Sequence, residues 1–168
     1  GSGQITIERT LRSDGSNLAS VLNLLSTSNP SMYERYLSVV RLVIPEIHYI
    51  TVPPDGVTGT SVSIRAWEHE VNTERSDLAR SLEQMGTGVG QVLSLLYVVL
   101  TESEPHLILI DEPQNFLHPG SVRALFEVFR IHGSQHQFVV TSHSAMVIDA
   151  AQPDVVLRLS RNHYETQI

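Results

Sequence analysis

The chain of 168 residues contains neither cysteine nor lysine. Without cysteine, disulfides, thiolate metal sites and cysteine nucleophiles are excluded within the chain, and a reducing, cytoplasmic setting is the simplest expectation. Without lysine, all 11 basic residues are arginine, and a phosphate-cradling loop of the form GxxxxGK followed by Ser or Thr cannot lie in this sequence. Long apolar runs are also missing: none reaches the roughly 18 residues of a membrane span, and the start of the chain carries no basic-then-apolar signal. No membrane partner is expected. A formal charge of -7 argues against a surface that coats nucleic acid everywhere, although a local arginine stripe leaves nucleic acid open as a partner.

What is present is a globular composition, 41% hydrophobic and 17% charged, sufficient for the core of one ordinary domain or of part of a larger one. Gly1-Ser2-Gly3 reads as a tag or flexible linker, which leaves residues 4–168 for the fold. Alternation around Ile5 and Ile7 predicts a short strand through Thr10, and Asp14-Gly15-Ser16-Asn17 a turn. Ser16 or Asn17 can cap a helix with Leu18, Val21, Leu22 and Leu25 on one face. Ser31 to Glu34 has capping-box form ahead of a second amphipathic helix carrying Met32, Tyr36, Val39, Val40 and Val43. Two β-branched stretches, Ile47 to Val52 and Ser61 to Trp67, flank a Pro-Pro-Asp-Gly turn and predict paired antiparallel strands, with a third strand expected around Val71.

The second half reads differently. Gly86-Thr87-Gly88-Val89-Gly90 leads into the apolar run Gln91 to Leu100, too long for a typical strand and better read as a buried helix. Leu107 to Ile110 and Gln137 to Thr141 are continuous apolar strands, separated by a helix that Pro119 starts and Gly133 stops. Val155 to Leu159 and His163 to Gln167 flank Arg161-Asn162 as a closing hairpin. Strands alternating with helices point to an α/β fold with a parallel sheet covered on both faces.

Three features bear on chemistry. Asp111 and Glu112 end the strand Leu107 to Ile110, and open α/β sheets bind ligands at the carboxyl ends of their strands. One carboxylate there can hold Mg²⁺ directly or through water while its neighbour deprotonates an attacking water; a bare strand-end acidic pair also fits a simple polar cap. Thr141-Ser142-His143-Ser144 ends the next apolar strand, with His143 placed 32 positions beyond Asp111, so adjacent parallel strands would bring the two ends together. Gly86 to Gln91 opens a helix, where glycine allows close approach of a phosphate to backbone NH groups.

Taken together in order and spacing, Gly86 to Gln91, Leu107 to Glu112, Asn115 to Pro119 and His143 resemble the degenerate signature motif, the Walker B motif, the D-loop and the switch histidine of ABC-type ATPases. The wording IDEPQNFLHP followed by TSHS is most similar to bacterial AAA-family ATPases related to the overcoming-lysogenisation-defect proteins. That group also resembles the SMC-related ATPases of chromosome maintenance and DNA repair. The resemblance runs from Met85 to Val147, and Asp14 to Leu18 extends it toward the N-terminus.

It implies an ABC-ATPase-like (P-loop NTPase) partial domain, with a mostly parallel sheet flanked by helices and an α+β segment before the signature loop. Residues 4–84 would be the helical and β segment, and residues 85–168 the core. ATP and Mg²⁺ are the implied cofactors. Asp111 would assist Mg²⁺, Glu112 would be the general base and His143 would sense the γ-phosphate. Thr87, Gly88, Gly90 and Gln91 would face ATP held by a second copy in a head-to-tail dimer, with Leu117 and His118 at the dimer seam. The signature departs from LSGGQ, which leaves open whether Thr87 or Gly90 takes the serine place. Many relatives carry an acidic residue where Gln114-Asn115 stands, and Gln114 is not expected to be catalytic. The missing lysine implies that the Walker A lobe precedes residue 4 in the natural protein or comes from another chain, and that this polypeptide alone is inactive. An effector such as a nuclease or toxin, in antiphage defence or DNA processing, is the implied setting. Two other classes remain beside this one: a non-catalytic dimerisation or interaction module, and a metal-dependent hydrolase using Asp111, Glu112, His118 and His143, for which no HExxH pair is present.

Overall fold

In the computed structural model, residues 10–55, 61–71, 73–115, 117–162 and 165–167 are described; the strand expected around Ile5 and Ile7 lies outside them, save Thr10. The first described turn is closed by the Gly15 amide donating to the Arg12 carbonyl at 2.9 Å. Asn17 takes the N-cap position of α1 (Leu18–Ser28), yet its side chain does not cap it. Its Oδ1 accepts the Arg12 amide at 2.9 Å and its Nδ2 donates to the Thr10 carbonyl at 3.0 Å, so it fastens the entering loop instead. The helix α2 (Pro30–Val43) begins one residue before the expected capping box, because Asn29 accepts the Met32 amide at 3.1 Å and Pro30 presets the first helical φ.

These helices meet the rest of the chain through two tyrosines. Tyr33 donates its hydroxyl to the Ile50 carbonyl at 2.8 Å, and Tyr36, fully buried, donates to the Leu93 carbonyl at 3.1 Å. Burial pushes the Tyr36 phenol well above its ordinary range, which keeps it a donor at any physiological pH. The strands β1 (Tyr49–Thr51), β2 (Pro54–Asp55), β3 (Ser61–Val62), β4 (Arg65–Trp67) and β5 (Arg80–Ser81) form antiparallel pairs, with β4 between β1 and β5 and with β2 beside β3. The third strand is therefore Arg80–Ser81 rather than the region of Val71, which is in no strand and is exposed. Arg65 and Ala66 select it by pairing with Ser81 and Arg80.

A short helix α3 (Leu82–Met85) leads into α4 (Thr87–Thr101), which starts four residues before the expected Gln91. Next come β6 (Leu107–Asp111), α5 (Pro119–His132), β7 (Gln137–Thr141) and α6 (Ala145–Ala151). The strands β6 and β7 are parallel and in register from Leu107 opposite Gln137 to Asp111 opposite Thr141. Ile108, Ile110, Phe138 and Val140 pack against the core of α1, α2, α4 and α5, and Phe138 stacks on Phe129 with ring centroids 4.4 Å apart. The opposite face carries Leu109 at 72% exposure, Leu107 at 61% and Val139 at 47%. The expectation of a sheet covered on both faces is corrected here: the described helices supply a cover for one face only.

The chain closes with β8 (Ser160–Asn162) and β9 (Glu165–Gln167), paired so that Asn162 faces Glu165. The reversal thus follows Asn162 rather than falling at Arg161-Asn162. Val155, Val156, Leu157 and Leu159 are exposed and join no ladder among the described residues, because no described strand lies alongside to complete their hydrogen bonds. No helix among the described residues is long and apolar enough to cross a membrane.

Burial predicts a sharp contrast between two leucines. Leu96→Ala, in the core at 0% exposure, is expected to cost about 2–5 kcal/mol. Leu109→Ala, on the bare face, is expected to stay within about 0.5 kcal/mol of the parent. Urea unfolding of the two variants measures both.

Candidate functional site

The pairing of Asp111 with Thr141 delivers two chain segments to one sheet edge. The Thr141 hydroxyl donates to Asp111 Oδ1. One residue further, Glu112 adopts φ 47°, in the left-handed region that costs an L-residue about 1–2 kcal/mol. Its amide donates to the Thr141 carbonyl and its carbonyl accepts the Asn115 amide, both at 3.0 Å, so backbone bonds on either side hold the bend.

The carboxylate of Glu112 is engaged at both oxygens. Oε1 lies 2.9 Å from His143 Nδ1, and a carboxylate there requires that nitrogen to carry the hydrogen and donate it. Oε2 accepts the side-chain amide of Gln114. The Ser142 hydroxyl donates to Gln114 Oε1 at 2.9 Å, accepts the Ser144 amide at 3.0 Å, and lies 3.4 Å from Glu112 Oε2. These hydrogen bonds, the one from His143 foremost and the one from Gln114 next, hold the Glu112 carboxyl below its ordinary value of 4.5. The carboxylate is thus ionised at neutral pH, while the mostly exposed His143 ring keeps Nε2 available to a ligand among the described residues.

The glycine-rich segment sits apart from this cluster. Gly86 precedes α4 at φ 90°, a conformation that favours glycine, although a Cβ there would meet nothing within 4 Å. Thr87 and Gly88 lie in the first turn of α4, where amides have no carbonyl one turn back within the helix and suit an anion, and Gly90 is the fourth residue of the helix. Gly90 also packs closely, since a Cβ there would come within 3.4 Å of Leu82 Cδ2. Gly90, Gln91 and Asp111 line one open groove of about 1280 Å³ that also reaches Leu107 and Leu109. No described hydrogen bond joins the start of α4 to Glu112 or His143.

Leu117 is half-buried against the core, and exposed His118 is the N-cap of α5, its Nδ1 3.4 Å from the Gly120 amide. His118 stands outside the Glu112–His143 cluster, and no three His, Cys, Asp or Glu side chains among the described residues are grouped to hold a metal. The contributions of Thr141 to Asp111, and of Gln114 and Ser142 to Glu112, went unforeseen. The signal available was the strand-end register itself, which sets residues 30 positions apart side by side.

The parallel pair thus brings the acidic and histidine motifs to the same edge, and the comparisons with known proteins make the chain an AAA-type, ATPase-like domain. The family described as "AAA domain, putative AbiEii toxin, Type IV TA system" matches residues 44–149, more than half of the chain, and the chain belongs to that family. A chain solved in work on ATP-driven dimerization and DNA-stimulated activation of SMC ATPases is similar in fold, with a TM-score of 0.59 at 13% identity over 87% of this chain and 86% of that one. A search of curated proteins found no match.

Because the folded Glu112 carboxyl lies below 4.5, its contribution to stability is fully present above that value and is lost as pH falls through the folded value. His143→Ala removes the main cause, so the variant is expected to be less stable than the parent at neutral pH but to lose less stability as pH falls from 4.5 through the parent's folded value, where the two curves converge. Urea midpoints measured from neutral pH downward through 4.5 check the convergence, and a gap between the curves that does not change with pH would contradict it.

Proposed function

We propose that the chain supplies the hydrolytic half of an ATP site, with Glu112 as general base and His143 as the residue that meets the γ-phosphate. The observation that carries this reading is the Glu112–His143 contact at the paired ends of β6 and β7. An ionised carboxylate beside a histidine whose Nε2 has no partner among the described residues suits in-line attack of water on a phosphoryl group: Glu112 takes the water proton, and His143, with a hydrogen on both ring nitrogens, donates from Nε2 toward the phosphate oxygens. Asp111, exposed and bonded by its described contacts through Oδ1 alone, offers the hard oxygen donor that Mg²⁺ prefers, directly or through water. When bound, Mg²⁺ would neutralise charge developing on the phosphates.

The phosphate cradle must come from outside these residues, because no lysine is present. A lobe carrying it would cover Leu107, Leu109 and Val139, whose exposure is otherwise unexplained in a parallel sheet. Thr87, Gly88, Gly90 and Gln91 would then face ATP held by a second copy, with Leu117 and His118 at the seam. The SMC-type neighbour, described by ATP-driven dimerisation and DNA-stimulated activation, supports the same arrangement, with DNA as a candidate trigger. Residues 4–84 would support and 85–168 would carry the chemistry, and a dimer that closes on ATP and opens on hydrolysis would control an effector such as a nuclease or toxin. The family description, which names a putative toxin, favours a toxin–antitoxin or antiphage setting, and the absence of cysteine suits a cytoplasmic one.

In the protein carrying its P-loop lobe, Glu112→Gln is expected to lower ATP turnover by about 10²–10⁴-fold while ATP still binds. Phosphate release and nucleotide binding measure the two effects, and wild-type turnover in this variant would sink the assignment. Leu109→Asp is expected to leave this chain folded but abolish its co-purification with the lobe; unchanged co-purification would contradict the docking face.

A further inference from the structure

We infer that Gln114 is a positioning residue, whose side-chain amide fixes the rotamer of Glu112 from which the carboxylate acts. This rests on the reading of Glu112 as general base. Gln114 lies in the 3-10 turn Pro113–Asn115, and the buried Pro113 anchors that turn directly after the left-handed bend at Glu112. The turn folds the Gln114 side chain back between Glu112 and Ser142.

Only an amide satisfies both neighbours. Gln114 Nε2 donates to Glu112 Oε2, and Gln114 Oε1 accepts the Ser142 hydroxyl at 2.9 Å. The orientation is set from both sides. Ser142 Oγ accepts the Ser144 amide at 3.0 Å and has its single hydrogen nearer to Gln114 Oε1, at 2.9 Å, than to Glu112 Oε2, at 3.4 Å, and reversing the amide would set Gln114 Oε1 against a carboxylate oxygen. A run of hydrogen bonds therefore passes from the start of α6 through Ser142 and Gln114 to Glu112, while His143 holds the other oxygen. A methionine would fill the space with no hydrogen to donate to Glu112 and only a weak acceptor for Ser142.

The test uses the protein with its P-loop lobe, comparing Gln114→Met and Glu112→Gln with the parent. Gln114→Met is expected to lower kcat by about 10- to 100-fold with the KM for ATP unchanged, the pattern of a misplaced group rather than of weaker binding. Circular dichroism and urea midpoints establish that both variants are folded. A second readout needs no turnover: one Gln114 side-chain amide proton is expected strongly downfield in the NMR spectrum of this chain, moving back in Glu112→Ala. Wild-type kcat in Gln114→Met, or an amide proton indifferent to Glu112→Ala, would overturn the inference. If Glu112→Gln itself turns over ATP normally, the base assignment fails; if it is inactive while Gln114→Met is fully active, only the role of Gln114 fails.

Discussion

In-register parallel pairing of β6 with β7 is the constraint on which the candidate site depends. Asp111 and Thr141 are 30 positions apart in the chain, and the ladder sets them side by side. A slip of one residue would shift the partner by about 3.3 Å and turn alternate side chains to the wrong face, breaking the 2.9 Å contact of Glu112 with His143. The register is held from beneath, where Ile108, Ile110, Phe138 and Val140 sit on the helical core and Phe138 stacks on Phe129. Apolar packing on one face of a two-stranded sheet thereby fixes polar geometry at its end.

The same sheet explains why the chain looks incomplete as a catalyst. Its covered face is bound to a core closed by Tyr36 and Leu93, and its other face leaves Leu109 largely in solvent. An apolar surface of this kind marks a place for another element. On the proposed reading the absence of lysine leads to the same conclusion from chemistry, since Glu112 and His143 would activate water while no lysine is present to grip the β- and γ-phosphates. Within the cluster, Glu112 has its two oxygens occupied by His143 and Gln114, an arrangement that positions the carboxylate before any phosphate arrives.

Much of this was legible in the sequence where a single local rule governed. Pro119 and Gly133 bracket α5 because a fixed φ suits the first helical position and a glycine suits the end. Asp111, Glu112 and His143 could be joined because parallel strands with one intervening helix align their carboxyl ends. Legibility failed where rules competed or where partners were tertiary. Ser31 and Asn29 both suit a helix cap, and Pro30 decides for Asn29. The third strand at Arg80–Ser81 exists through pairing with β4, which no local pattern announces. Apolar Val155 to Leu159 reads as strand, yet a ladder needs a neighbour. The contact of Gln114 with Glu112 is made by the turn at Pro113, a geometry that spacing alone does not announce.

If the chain holds half of an ATP-hydrolysing site, as proposed, it cannot turn ATP over unaided. The most direct measurement is ATP turnover by the purified 168-residue chain by itself, with Mg²⁺ present and with Glu112→Gln as control. No phosphate release above that of the control is expected. Turnover by the chain alone that Glu112→Gln abolishes would contradict it, because the phosphates would then be gripped by residues already present.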